Sequence, residues 1–336
     1  MTNNFSILYL MTILPPKLPE CEAVMQEITA LQTHFGGDLV YLNPNQSSPI
    51  YIPRPLFGFH KLLHLRKQEK QIDMHHLFNP DPFPFVMLRF LKKPIIYSLS
   101  SGIGNACPPI KFLRSLSAIT VSDERSFKRL HAWGIENVFL IQPGIDARQF
   151  TFSPLPLDST IRLMVGSAPW TMAQFESKGI NILLKVAQRN PGIHLVFLWR
   201  HVYFEEMRKR VQQANLDKQV TILNERVDVN QVLANVHASI TLATVSTIIR
   251  PYPHSLMESL TAGKPIIISH SIPMSDYILR HGGGIVLDNI QVDDILSAIE
   301  QLIYNYDTLQ RQTHQADFSQ SHKIAEFQTV YEHVCS

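Results

Sequence analysis

The sequence predicts an α/β protein made of two doubly wound domains, each a parallel sheet flanked by helices. Three observations predict this. The 336 residues exceed what one core of ordinary size organises and suit two domains. Short apolar, β-branched runs alternate with helix-spaced segments along nearly the whole length, as parallel strands joined by crossover helices require. The alternation breaks at residues 151–160, where Pro154 and Pro156 stand without periodicity and read as a linker.

In the first half, residues 7–13 read as a strand. No basic stretch precedes this run and Pro15-Pro16 follows it, so it reads as a core strand and not a signal peptide. Residues 21–34 have helical spacing at Val24, Ile28 and Leu31. Residues 38–42, 72–77, 94–99, 118–121 and 138–141 read as further strands with helices between them. Beyond the linker, strands are expected at 161–165, 194–199, 220–223, 238–242, 266–268 and 284–287. Helices are expected at 179–189, 204–214, 293–304 and 325–335.

Composition narrows the function. Hydrophobic residues make up 45%, enough for two cores, and the net charge of +2 argues against general nucleic-acid binding. Lys and Arg outnumber Asp and Glu by 15 to 11 in residues 1–150, whereas the remainder carries 15 against 17, so the basic excess sits in the first half. Cys21, Cys107 and Cys335 show neither disulfide nor zinc spacing, which suggests a reducing setting. No apolar run approaches the length of a membrane span. A soluble, cytoplasmic protein without a metal site is expected.

The most informative stretch is Arg250-Pro-Tyr-Pro-His-Ser-Leu-Met-Glu-Ser-Leu-Thr-Ala-Gly-Lys-Pro followed by Ile266 to Ser269. The prolines hold the approach extended. His254 or Ser255 then caps a helix whose apolar residues are Leu256, Met257, Leu260 and Ala262. Gly263 ends it with a left-handed cap and Pro265 bars its continuation. First-turn amides suit a phosphate, and Glu258 one turn further in suits sugar hydroxyls.

This stretch resembles the donor-site signature of the retaining family 4 glycosyltransferases, whose fold is the two-domain GT-B fold with an interdomain cleft. Glu258 falls on the second glutamate of the family's Glu-x7-Glu pattern, and Thr261-Ala262-Gly263-Lys264-Pro265 on its tail. Arg250 stands where the first glutamate belongs. The likeness is strong over about residues 161–304. Earlier it rests on Ser122, between a strand and a helix, and on residues 138–146. It implies an acceptor domain over residues 1–152, joined by a terminal helix near 322–336 that crosses back to it. Residues 153–321 would form the donor domain.

The resemblance also assigns roles. Lys178, before Gly179 at a helix start, would hold the donor diphosphate; the alternative is an exposed loop lysine. The family's arginine five residues earlier is Ala173 here, and Arg250 would replace its charge or pair with an acidic neighbour. Gly166 and Ser167 would let the backbone approach the phosphates, or form a simple turn. Amides near Ser255 and Leu256 would meet the diphosphate, with His254 beside them. Arg226 and Val227 lie where the family holds the nucleobase. On the acceptor side the family histidine falls at Ser100, and Ser100, Ser101 and Gly102 would line the cleft or form a plain turn. His75 and His76 read as strand-end residues facing opposite sides. The basic segment 60–70 reads as a solvated helix face or as a contact with an anionic membrane.

The expected function is transfer of a sugar from a nucleotide-diphosphate sugar, as co-substrate, to a glycan or lipid-linked acceptor, without metal or other cofactor. The chemistry would use Lys178, Arg250 and Glu258. Two alternatives stand beside it: an impaired nucleotide-sugar binding protein and a nucleotide-sugar epimerase of the same fold.

Overall fold

The computed structural model describes residues 5–16, 18–166 and 168–336. The chain divides into two compact units, one formed by Met1–Gly144 with Gln320–Ser336, the other by Ile145–Ser319.

The first unit contains β1 (Ile7–Met11), α1 (Ala23–Phe35), β2 (Asp38–Tyr41), α2 (Leu62–Gln68), β3 (Met74–Asn79), β4 (Ile95–Leu99), α3 (Ile110–Leu113), β5 (Ala118–Val121), α4 (Glu124–Ala132) and β6 (Val138–Leu140). Its strands pair in parallel in the order β2-β1-β3-β4-β5-β6. Both sheet faces are covered, which is why these strands read as unbroken apolar runs. Leu8, Leu10 and Leu77 face one core, while Ile7, Tyr9 and Met74 face the other.

The second unit contains β7 (Ile161–Val165), α5 (Gln174–Ser177), α6 (Ile180–Arg189), β8 (Ile193–Leu198), α7 (Phe204–Gln213), β9 (Val220–Leu223), α8 (Val229–Ala234), β10 (Ala238–Thr241), α9 (His254–Thr261), β11 (Ile266–Ser269), α10 (Ser275–His281), β12 (Gly284–Leu287), α11 (Val292–Tyr304) and α12 (Tyr306–Thr313). Its strands, again parallel, run β12-β11-β10-β7-β8-β9. In each sheet the winding reverses beside the first strand: between β1 and β3 in one, between β7 and β10 in the other. Helices α8, α10 and α12 are short and have no counterpart in the sequence pattern.

The last helix, α13 (Gln320–Cys335), packs on the first unit and begins five residues earlier than its apolar spacing suggests. Lys323 explains the extension, because its ammonium lies 2.8 Å from Glu27 with both side chains buried. Tyr331 and Phe327 add a buried aromatic face.

His75 and His76 differ from expectation: they sit inside β3, not at its end, and both are fully buried. They do face different partners. His75 Nε2 lies 3.2 Å from Glu69, while His76 contacts the Tyr331 hydroxyl at 2.8 Å and the Ser98 hydroxyl at 2.7 Å. Burial pushes His76 down to about 3, so it stays neutral and serves packing. Just before β3 the Asp73 carboxylate accepts the Ser6 amide and the Asp73 amide donates to the Ser6 carbonyl, which ties the start of β3 to the start of β1.

Candidate functional site

In open parallel sheets, ligands bind outside the carboxyl ends of the strands, where the winding reverses. In the second unit that point lies between β7 and β10, and three of the predicted donor residues, Gly166, Lys178 and Ser255, come together there from separate stretches of chain.

Gly166 is the first residue after β7. A Cβ there would lie 2.4 Å from the Ser255 Cβ and 2.5 Å from its Oγ. The loop leaving β7 and the amino end of α9 are therefore in contact, and only a residue without a side chain permits it. Ser167 lies outside the described residues. One residue further on, the Ala168 carbonyl accepts a hydrogen bond from Lys178 Nζ at 2.9 Å. Gly166 and Ala168 are two residues apart, which at full extension spans about 7 Å. One short loop thus touches both the helix start and the lysine.

Lys178 is buried and is not an exposed loop lysine. It sits between α5 and α6, where Gly179 turns the chain with φ +67°. A Cβ on Gly179 would meet Leu242, just past β10, at 2.8 Å. The Thr244 amide, also past β10, donates to the Ser177 carbonyl at 2.8 Å. These contacts fix Lys178 at the reversal point.

The start of α9 needs two corrections. Neither His254 nor Ser255 caps it; the N-cap is Pro253, whose ring-fixed φ of −63° and extended ψ of 128° already give the entry geometry. The Leu256 amide does not face a phosphate, because it donates to the Pro253 carbonyl at 3.0 Å, and the Leu256 side chain is fully buried. Ser255, at the second helical position and against Gly166, is the amide that the helix itself does not satisfy. His254 is half-buried at the first position.

Glu258 lies one turn along α9 and is half-buried. Desolvation pushes its carboxyl up to about 7, opposed by the positive charge of Arg200. Arg200 follows β8 and was not singled out by the sequence, since its loop matches no recognised motif. Arg250 is half-buried in the loop before α9. Arg226 is exposed and Val227 half-buried, both in the loop after β9 at the same sheet edge. Lys264 is a second residue that motif matching did not assign a role. It is fully buried, its Nζ has no hydrogen-bond partner among the described residues, and burial lowers its ammonium to about 8.

In the first unit, Ser100, Ser101 and Gly102 follow β4. The Ser100 amide donates to the Asn79 carbonyl and the Ser101 amide to the Pro80 carbonyl, at 3.0 and 3.1 Å. The reversal point beside them is filled by the chain's own groups. Thr12 bonds to Asn79, and the Arg54 guanidinium reaches Asn79 Oδ1 at 3.1 Å and Asp81 at 2.8 Å. Among the described residues no group of three or more His, Cys, Asp or Glu side chains is placed to hold a metal ion.

Residues 163–317, nearly the whole second unit, match the family described as glycosyl transferases group 1. The chain is similar in fold to HepE of Anabaena in complex with UDP and glucose, with a TM-score of 0.67, 14% identity and 98% of each chain covered. Sucrose-phosphate synthase of Thermosynechococcus elongatus gives 0.70 at 13% identity, over 97% of this chain and 98% of that one. A glycosyltransferase of Rickettsia africae gives 0.71 at 10% identity over 99% of each. No curated protein matches the sequence. Residues 163–317 thus carry the match to the group 1 glycosyl transferases, and the chain as a whole has the two Rossmann-like domains of the GT-B fold.

Two outcomes are expected. Gly166→Ala forces α9 away from β7, lowering stability by about 1–3 kcal/mol in urea denaturation and weakening nucleotide binding; unchanged values for both would refute the close-approach argument. Glu258 has a raised folded-state pKa, so its favourable contribution is complete below its ordinary 4.5 and is lost as pH rises through about 7. Glu258→Gln therefore stabilises the protein by up to about 3 kcal/mol near pH 8 and by nothing near pH 4, read from melting temperatures across that range.

Proposed function

We propose that this protein is a retaining glycosyltransferase that moves a sugar from a nucleotide-diphosphate sugar to an acceptor hydroxyl, with charged side chains in place of a metal ion. The observation that carries the reading is the convergence of Lys178, Gly166 and the amino end of α9 at one sheet-reversal point. An ammonium and first-turn amides are the groups a pyrophosphate needs, and Glu258 is one turn from them for the ribose hydroxyls. HepE, which shares the fold, was solved with UDP and glucose, in keeping with such a donor.

In this mechanism the acceptor oxygen attacks the anomeric carbon on the face from which the diphosphate leaves. The carbon–oxygen bond to phosphate breaks, and the acceptor's proton passes to the departing phosphate oxygen. Lys178 stabilises the negative charge that grows on that oxygen. The acceptor, a glycan or lipid-linked saccharide, is assigned to the first unit, where Ser100 to Gly102 offer a small, polar strand end.

A lipid-linked acceptor agrees with the surface of the first unit. Residues 54–93 hold eight Lys and Arg against three Asp and Glu. Within and beside them Ile50, Tyr51, Leu56, Leu63, Val86 and Phe90 are exposed, Leu63 by 88%. Phe59 and Phe90 rings pack at 5.8 Å, and Arg66 holds the Phe90 carbonyl, so α2 and the Val86–Phe90 turn lie side by side. Exposed apolar groups ringed by cations suit an anionic bilayer at a cytoplasmic face. Among the described residues no helix is long and apolar enough to cross a membrane.

One donor sugar in a UDP-, GDP- and ADP-sugar series is expected to raise the melting temperature, and Lys178→Ala is expected to lower transfer by about 100- to 1,000-fold. No thermal response to any nucleotide would overturn the donor-site reading, and an epimerised free sugar formed without acceptor would overturn transfer. Separately, the protein is expected to sediment with vesicles rich in anionic lipid but not with neutral ones, and Leu63→Asp with Lys67→Glu should abolish that; equal sedimentation with both would count against the membrane surface.

A further inference from the structure

The loop that joins β8 to α7 is the most strained stretch of the second unit. His201 has φ +66° and Tyr203 φ +53°, two left-handed non-glycine residues within three positions. Only one other non-glycine residue among those described, Asn215, has positive φ, and asparagine tolerates that conformation. Strain of this kind persists only where surrounding contacts over-determine it.

Those contacts are specific. The Trp199 amide donates to the Leu223 carbonyl, and the His201 amide to Asn224 Oδ1, both at 2.8 Å, tying the loop to the end of β9. The Trp199 indole nitrogen donates to the Val202 carbonyl at 2.8 Å, closing the loop on itself. Phe175 of α5 packs on Trp199 and Tyr203, with ring centroids 6.0 and 6.4 Å apart, and Arg210 covers its other side at 4.5 Å. Phe175 is fully buried and lies three residues before Lys178. One aromatic cluster therefore sets the loop in register with the segment that carries the lysine.

Arg200 stands inside this loop, half-buried, two residues past the end of β8. β8 is the immediate neighbour of β7, pairing Val165 with Phe197, so Arg200 emerges beside Gly166 at the carboxyl edge of the sheet. Its charge is felt at Glu258, on the far side of that contact. Ala173 leaves the lysine loop without the arginine that the resemblance leads one to expect there. The geometry points to Arg200 as a further donor-contacting residue: we propose that it faces the diphosphate of the bound nucleotide sugar together with Lys178, held there by the strained loop. This rests on reading the site as a nucleotide-sugar site, and it places the second cation after β8 instead of at Arg250. A guanidinium fork suits a phosphate oxygen pair, where an ammonium acts as a point charge.

The test compares wild type, Arg200→Gln and Arg200→Lys by calorimetric titration with UDP, GDP and ADP and with the matching monophosphates. Arg200→Gln is expected to weaken the preferred diphosphate by about 10- to 100-fold, as for one lost charge-assisted hydrogen bond, and the monophosphate by less than about threefold on the same scale. Arg200→Lys should recover part of the diphosphate affinity. Circular-dichroism melting checks that the variants fold; should Arg200→Gln fail to fold, the diphosphate-to-monophosphate ratio of Arg200→Lys decides. Equal losses for both ligands would mean that Arg200 only supports the fold, and no loss would remove it from the site; either outcome overturns the inference while leaving the donor site standing. Failure of wild type to bind any of the diphosphates overturns the donor site itself and Arg200 with it.

Discussion

The second unit depends on one close approach, between the backbone of Gly166 and Ser255. A methyl group at residue 166 would occupy the space that the serine side chain fills. Because it is absent, the amino end of α9 lies directly on the end of β7, and Ser255 sits at the point where the sheet reverses its winding. Glycine at 179 acts in a parallel way, seating Lys178 against the end of β10. Two glycines thirteen residues apart thus set the positions of a cation and of a helix terminus.

The electrostatics follow from that packing. A half-buried carboxyl at Glu258 is costly to ionise, which its raised pKa records, and the opposing influence is the Arg200 charge from the neighbouring strand. This part of the second unit therefore combines a carboxyl raised to about 7 with cations delivered on separate loops. The buried Lys264 beneath α9 is a different case. With its ammonium lowered to about 8 and no partner among the described residues, it is a cost the fold carries at the base of the helix.

The first unit has the same winding but another character. At its reversal point stand Thr12, Asn79 and Arg54, bonded to one another and to Asp81. Its distinctive feature is instead the exposed apolar and basic surface of residues 50–93. The terminal helix α13 is held to this unit by the buried Lys323–Glu27 pair and the Tyr331–His76 hydrogen bond. Removing one partner of such a pair leaves an uncompensated buried charge, so the attachment is stringent.

Much of this was legible in the sequence because parallel sheets write themselves into it. Strands buried on both faces appear as unbroken apolar runs, and the helix from His254 ends at Gly263 with φ +80°, as a glycine followed by proline announces. Lys178 and Glu258 could be singled out because each lies in a short local pattern. Residues that depend on distant neighbours were not legible: the interior placement of His75 and His76, and Arg200. Local spacing determined which segments became strands and helices and which loops carried the chemistry. Which side chains share a hollow was decided only by tertiary packing, because contacts such as Gly166 with Ser255, or Phe175 with Trp199, join residues whose separation along the chain carries no trace of their proximity.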